Sequence, residues 1–143
     1  MISSPPTPIK WEMALRVTRP VLEWLRTEAA AAAPDECCGL LLGCGALIDE
    51  LRPAANIAAN PQRHFEIDPQ ALVDAHRAAR EGGPHVLGYY HSHPGGLAAP
   101  STMDRQQSAG DNSVWAIIGE SAVTFWRDEE AGFVPLSYVL EDR

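Results

Sequence analysis

Residues 85–104 read H-V-L-G-Y-Y-H-S-H-P-G-G-L-A-A-P-S-T-M-D, and no other stretch of the chain restricts the fold as tightly. The apolar and aromatic run at 85–90 has the character of a strand, which places His91 and His93 at its end. Strand side chains alternate, so two positions separated by one residue share a face and can reach one metal ion. Pro94-Gly95-Gly96 breaks the strand, and Pro100-Ser101-Thr102-Met103-Asp104 reads as a helix start with Ser101 as N-cap. Asp104 then falls in the first helical turn, facing back toward the histidine pair. Any fold of this chain has to set that strand end against that helix start.

The rest of the chain supplies elements of both kinds. With 143 residues it is long enough to bury roughly two-thirds of its unfolded surface as a single domain. A flexible N-terminal tail is expected at 1–9 and the domain at 10–143. Alternation at 12–17 predicts a first strand. Thr18-Arg19-Pro20 then starts a helix that places Val21, Leu22, Leu25 and Ala29 on one face and stops at Pro34. Glu36-Cys37-Cys38-Gly39-Leu40-Leu41-Leu42-Gly43-Cys44 is a short apolar run between glycines, the mark of a buried central strand. A partner strand is expected at 46–51, a loop or irregular edge strand at 53–63, and a short strand at 65–67.

Asp68-Pro69 caps a second helix with Leu72, Ala75, His76 and Ala79 on one face, ending near Gly82-Gly83. A short helix at 101–108 follows the motif. Residues 114–118 and 122–126 read as a hairpin, and 133–139 as a terminal strand. Interleaved helices and strands of this kind imply an α/β fold, a mixed central sheet flanked by helices in three layers.

Charge and cysteine usage narrow the partners. The formal net charge is −8, and Lys10 is the one lysine beside ten arginines, a poor balance for a nucleic-acid backbone. Cys37, Cys38 and Cys44 are odd in number with two adjacent, which suits reduced thiols better than disulfides. Adjacent strand residues point to opposite faces, so Cys37 and Cys38 read as small buried hydrophobes. Three prolines in the first eight residues do not make a signal peptide, and the longest apolar run, 39–48, is about half a membrane span. A soluble, cytoplasmic protein with no membrane partner is expected.

The chemistry rests on His91, His93 and Asp104 as three ligands of a divalent metal. Two imidazoles and one carboxylate suit Zn²⁺ and leave a fourth position for water, whose pKa falls to roughly 7 there. A hydrolase also needs a proton carrier and an oxyanion donor near that water. Glu36, at the entry to the buried strand, is the candidate general base, and Ser101 the candidate donor. On the residues alone, H-x-H is also compatible with a plain strand end, and S-x-x-D with a capping box. Among other residues, His64 and His85 read as structural or exposed, His76 as packed core, and Trp11, Trp24, Trp115 and Trp126 as core or edge aromatics. Of Tyr89 and Tyr90, one is expected inward and one toward the active site. Asn56 and Asn60 lie in a loop where a substrate chain can add to a sheet edge.

Glu36, then His91-Ser92-His93-Pro94, seven intervening residues, Ser101, two residues and Asp104: in this spacing the chain resembles the JAMM metalloproteases, the metal-binding branch of the MPN domains. The glutamate heads a glycine-containing apolar strand, as in that family. The resemblance implies a cytidine-deaminase-like α/β fold, with His91, His93 and Asp104 as zinc ligands. It implies Glu36 as general base and then acid, and Ser101 as the oxyanion stabiliser. It further implies cleavage of peptide or isopeptide bonds at the C-terminal Gly-Gly of a ubiquitin-like or sulfur-carrier protein. The chain lacks the insertions of the eukaryotic deubiquitinating members, which favours the compact prokaryotic type. It lacks P-C-x-x-C, which sets the deaminases aside. The alternatives are a non-catalytic scaffold like the metal-free MPN branch, and a metallohydrolase acting on small peptides or on cell-wall or phage-tail fragments.

Overall fold

Thr18 is where the first strand becomes the first helix. It ends β1 (Leu15–Thr18), and its Oγ1 accepts from the Val21 amide at 3.4 Å, capping α1 (Arg19–Ala32). In this computed structural model residues 14–143 are described. The tail expected at 1–9, Trp11 and the beginning of the strand expected at 12–17 lie outside the described residues. Helix α1 buries Val21, Leu22 and Leu25, the face its apolar spacing dictates.

Strands β2 (Cys38–Cys44) and β3 (Leu47–Ala54) form a hairpin whose turn holds Gly45 at φ +62°, a conformation that favours glycine. Asp68 caps α2 (Pro69–Arg80) by accepting from the Gln70 amide at 3.0 Å. Then follow β4 (His85–Ser92), α3 (Thr102–Gln107), β5 (Val114–Ile118), β6 (Val123–Glu129), β7 (Gly132–Leu136) and β8 (Tyr138–Glu141). No helix among the described residues is long and apolar enough to cross a membrane.

Among the described residues, eight strands join one mixed sheet in the order β7-β6-β5-β4-β2-β3-β1-β8. Strands β7 and β8 are successive in the chain yet occupy opposite edges, joined through Ser137 alone. A one-residue link can connect two edges only if the sheet curls until they approach, and the rings of Phe125 and Tyr138 meet across that closure with centroids 4.9 Å apart. The main core fills the curl, where α1 packs against Val17, Leu41, Ile48, Leu87, Ala116 and Phe125. Helix α2 covers the outer face through Leu72 and Ala75 on Leu40, Leu42 and Val86. The result is the three-layer α/β arrangement expected.

Gly88 explains how β4 and β5 approach each other. A Cβ there would sit 1.8 Å from the Val114 carbonyl oxygen, so no larger residue fits this pair of parallel strands.

Two expected strands differ. Residues 133–139 do not form one strand but parts of two, β7 antiparallel to β6 and β8 parallel to β1. Alternation continues through Ser137, so periodicity carries no sign that the chain changes edge. Residues 65–67 do not form a strand but make a single bridge, Asn56 with Ile67, because Asn56 spends its side chain on the surrounding backbone instead of extending a ladder. Strand β3 runs on to Ala54 and β6 to Glu129, each beyond the expected end.

Candidate metal centre

The β2–β4 ladder brings the two halves of the motif together. Cys38 pairs with His91, and one step further the Ser92 amide donates to the Cys37 carbonyl at 3.2 Å while the Cys37 amide donates to Ser92 Oγ at 2.8 Å. Continuing this antiparallel register sets Glu36 beside His93. Glu36 is then pinned through its backbone on both sides. Its amide donates to the Pro61 carbonyl at 2.8 Å, and its carbonyl accepts from Asn56 Nδ2 at 3.0 Å. His91 lies inside β4, and His93 follows just after it, its amide donating to the Ile118 carbonyl at 2.8 Å.

Asp104 arrives from the other direction. Ser101 and Asp104 form a reciprocal capping box: Ser101 Oγ accepts from the Asp104 amide, and Asp104 Oδ2 accepts from the Ser101 amide, both at 3.0 Å. The cap fixes the carboxylate where the helix begins, with His91 Nε2 3.0 Å from Oδ1 and His93 Nε2 3.1 Å from Oδ2. The two Nε2 atoms are 3.1 Å apart. The donor atoms of Glu36, His91 and His93 also lie within 4.8 Å of one another, so a second carboxylate stands close to the histidine pair.

These groups fit a metal. His93 Nδ1 lies 2.8 Å from the Leu97 carbonyl, an acceptor, so it carries the hydrogen and leaves Nε2 of the neutral ring as a bare lone pair. With His91 in the same tautomer, its Nε2, that lone pair and the Asp104 carboxylate are three electron-pair donors set around one point. Ligands about 2.05 Å from a tetrahedral zinc sit roughly 3.3 Å from each other, close to the separations found.

Electrostatics separates the two carboxylates. Burial raises the Asp104 pKa, but hydrogen bonds and charge from His91 and His93, with the Ser101 amide, outweigh it and hold the group below the usual carboxylate range. Glu36 is pushed up to about 7 by burial, which the charge of Asp104 reinforces and that of His93 opposes. Its Oε1 is buried with no hydrogen-bond partner among the described residues. Burial lowers His91, against the pull of Asp104. Burial acts the same way on His93, but Asp104, the Leu97 carbonyl and Glu36 together raise it. Asp104 is thus a permanent anion suited to bind a cation, and Glu36 a carboxyl poised to exchange a proton near neutrality.

Glu36, His93 and Ser101 all open on one cleft of about 410 Å³, bounded by Arg63, Leu97 and Pro100. Cys37 and Cys38 face opposite layers, and burial pushes their thiols up to about 11 and about 12, so neither is a reactive thiolate. Cys44 is exposed. Tyr90 is fully buried in the main core, and Tyr89 lines a separate pocket with Leu72 and Trp115. His76 is buried on α2, while His64 and His85 are half-buried. Trp24 is 40% exposed and Trp115 only 5%.

The sequence reading missed two contributors. Asn56 ties Glu36 to the carbonyl of His64 and to the amides of Ala58 and Glu66, a role the loop composition only hinted at. Phe65 stacks on His91, which no spacing rule signals.

The chain has counterparts among known proteins. A family model described as prokaryotic homologs of the JAB domain matches residues 18–129, from the end of β1 to the end of β6. The desampylase of Haloferax volcanii is 32% identical over 126 residues, covering 85% of this chain and 89% of that protein. A probable TtuB-protein conjugate cleaving protease of Thermus thermophilus is 34% identical over 96 residues, covering 67% of this chain and 64% of that protein. The solution structure of a protein from Desulfitobacterium hafniense superposes with a TM-score of 0.81 at 26% identity, covering 90% of this chain and 94% of that one.

Proposed function

The chain belongs to the prokaryotic JAB-domain family, and on that premise we propose that it is a JAMM-type zinc isopeptidase releasing a ubiquitin-like or sulfur-carrier protein from its conjugates. The observation that carries the reading is the convergence of His91, His93 and Asp104 on one point with the half-titrating Glu36 beside them. His91, His93 and Asp104 would hold the zinc. When bound, Zn²⁺ acidifies a water molecule and polarises the scissile carbonyl.

Glu36 takes the proton of the attacking water at its carboxylate and returns it to the leaving amine, a Lys Nζ in an isopeptide. Burial raises this carboxyl above its ordinary range in the metal-free site, the direction that suits a group that both takes and returns a proton. Ser101 Oγ is committed as an acceptor to the Asp104 amide, so its hydroxyl hydrogen is free to donate to the oxyanion developing on the carbonyl. Gly96 and Ala99 on the cleft wall leave room for a tail without side chains, such as Gly-Gly. Buried, high-pKa thiols at Cys37 and Cys38 fit a reducing, cytoplasmic setting.

The test is a conjugate of a Gly-Gly-tailed carrier protein with a lysine-bearing target. Wild type releases the carrier, and a chelator stops it. Glu36→Gln keeps stoichiometric zinc by elemental analysis and loses cleavage. Turnover by that variant, or protein purified without chelator that carries no zinc, overturns the assignment. A non-catalytic scaffold would have no need of this donor set.

A further inference from the structure

Two different devices hold the two histidines. His93 is oriented by a hydrogen bond from Nδ1 to the Leu97 carbonyl at 2.8 Å. His91 has no equivalent: its side chain is 0% exposed, and its Nδ1 has no hydrogen-bond partner among the described residues. A histidine that binds metal through one nitrogen ordinarily donates the other to an acceptor, which fixes both the tautomer and the plane of the ring. The outer torsion of histidine is broad and two-fold, so an unanchored ring can turn over. Such a turn would present ring carbon instead of Nε2 to Asp104 and remove one of the three donors.

Aromatic packing surrounds the unanchored ring. Phe65 lies stacked on His91, with centroids 4.3 Å apart and planes 19° apart. Trp115 stands edge-on to the same ring at 5.5 Å and 90°. Phe65 and Trp115 brace each other at 5.8 Å and 73°, and Phe133 of β7 backs Trp115 at 4.9 Å. Phe65 and Trp115 are 6% and 5% exposed, so the assembly is part of the core and not a mobile rim.

We propose that Phe65 and Trp115 are positioning residues that clamp His91 in its metal-binding orientation, in place of the missing hydrogen bond; this rests on the metal reading given above. Phe65 also braces a second ligand. Its carbonyl accepts from Gln107 Nε2 at 3.0 Å, and Gln107 is the last residue of α3, the helix that carries Asp104. One residue therefore touches His91 through its ring and the Asp104 helix through its backbone. Trp115 is fixed independently, as the β5 partner of Tyr89 in β4.

The test uses the full chain and three readouts: zinc affinity by competition with a chelator, the visible spectrum of the cobalt-substituted protein, and urea unfolding of the metal-free protein. Phe65→Leu keeps an apolar side chain without a stacking face. It is expected to weaken zinc binding by about 10–100-fold, the range for loss of a partner that orients a ligand. The cobalt spectrum should change with it, by more than the loss of metal-free stability accounts for. Phe65→Tyr, which keeps the ring, should restore most of the affinity and the wild-type spectrum. Should Phe65→Leu fail to fold, Trp115→Phe, which moves the edge contact, is held to the same readouts. Wild-type affinity and an unchanged spectrum in the variant that folds would overturn the clamp while leaving the metal reading standing. Absence of metal binding in the wild type would instead overturn the metal reading, and the clamp with it.

Discussion

Cys38 and His91 are direct partners across the β2–β4 ladder, and this single register pair sets Glu36 beside His93. The ladder continues past its last formal pair through the reciprocal contacts of Cys37 and Ser92. A slip of one residue would turn every side chain of β2 to the other face. Glu36 and His93, 57 residues apart in the chain, are thus brought together by backbone pairing.

That placement has a measurable cost in the metal-free protein. Glu36 is pushed up to about 7 by burial, so the folded state retains a proton that the unfolded state has lost. Its contribution to stability is complete below the unfolded pKa of 4.5 and is lost as pH rises through about 7. Asp104, held below the usual range, runs the opposite way, and its contribution fades only as the solution becomes strongly acidic. Urea unfolding of chelator-treated protein should therefore show Glu36→Gln equal to wild type near pH 4, below the unfolded pKa. At pH 8 and above the variant should be more stable, by up to ~3 kcal/mol. Equal stability at both pH values would show that the carboxyl is solvated.

Much of this arrangement was legible in the sequence because short-range rules govern it. Alternation puts His91 and His93 on one face, Pro94-Gly95-Gly96 ends the strand, and S-x-x-D starts a helix with its carboxylate turned back. The edge exchange at Ser137 was not legible, since β7 and β8 share one unbroken alternation while pairing at opposite ends of the sheet. Asn56 and Phe65 were equally hidden. Their contacts with Glu36 and His91 arise from how one loop folds over the strand ends, and no local pattern encodes that.

Metal should act as a stabilising ligand. His91 Nε2, His93 Nε2 and the Asp104 carboxylate lie within 3.0 to 3.1 Å of one another, so a cation between them is held by all three at once. Zinc at 100 times its dissociation constant should add about 2.7 kcal/mol to unfolding. His93→Ala should abolish this zinc-dependent shift in a thermal melt. A shift of undiminished size would place the ion elsewhere.

Gly88 tests the packing that holds β4 in register. An added methyl would fall 1.8 Å from the Val114 carbonyl oxygen, which belongs to backbone and cannot swing away. Gly88→Ala is expected to destabilise the protein by about 3 kcal/mol or more, at the upper end of overpacking. It should lower activity with it, because His91 lies on the same strand. Chemical denaturation checks the first, and a wild-type midpoint would mean the strands separate easily.

The capping role of Ser101 and the catalytic role proposed for it can be separated by substitution. As N-cap its Oγ accepts from the Asp104 amide, and in the proposed reaction its hydroxyl hydrogen is given to the oxyanion. Ser101→Ala removes both, and should cost about 1 kcal/mol of stability and about 10²-fold or more in kcat. Glycine is a tolerable cap that costs only a few tenths of a kcal/mol, yet it has no hydroxyl. Ser101→Gly should then stay close to wild type in stability and in zinc affinity while losing nearly as much kcat as Ser101→Ala. Ser101→Thr, which keeps the hydroxyl and caps well, should recover most of both. If activity instead follows stability across the three variants, Ser101 serves only as the cap that aims Asp104, and the oxyanion donor has to be sought elsewhere in the cleft.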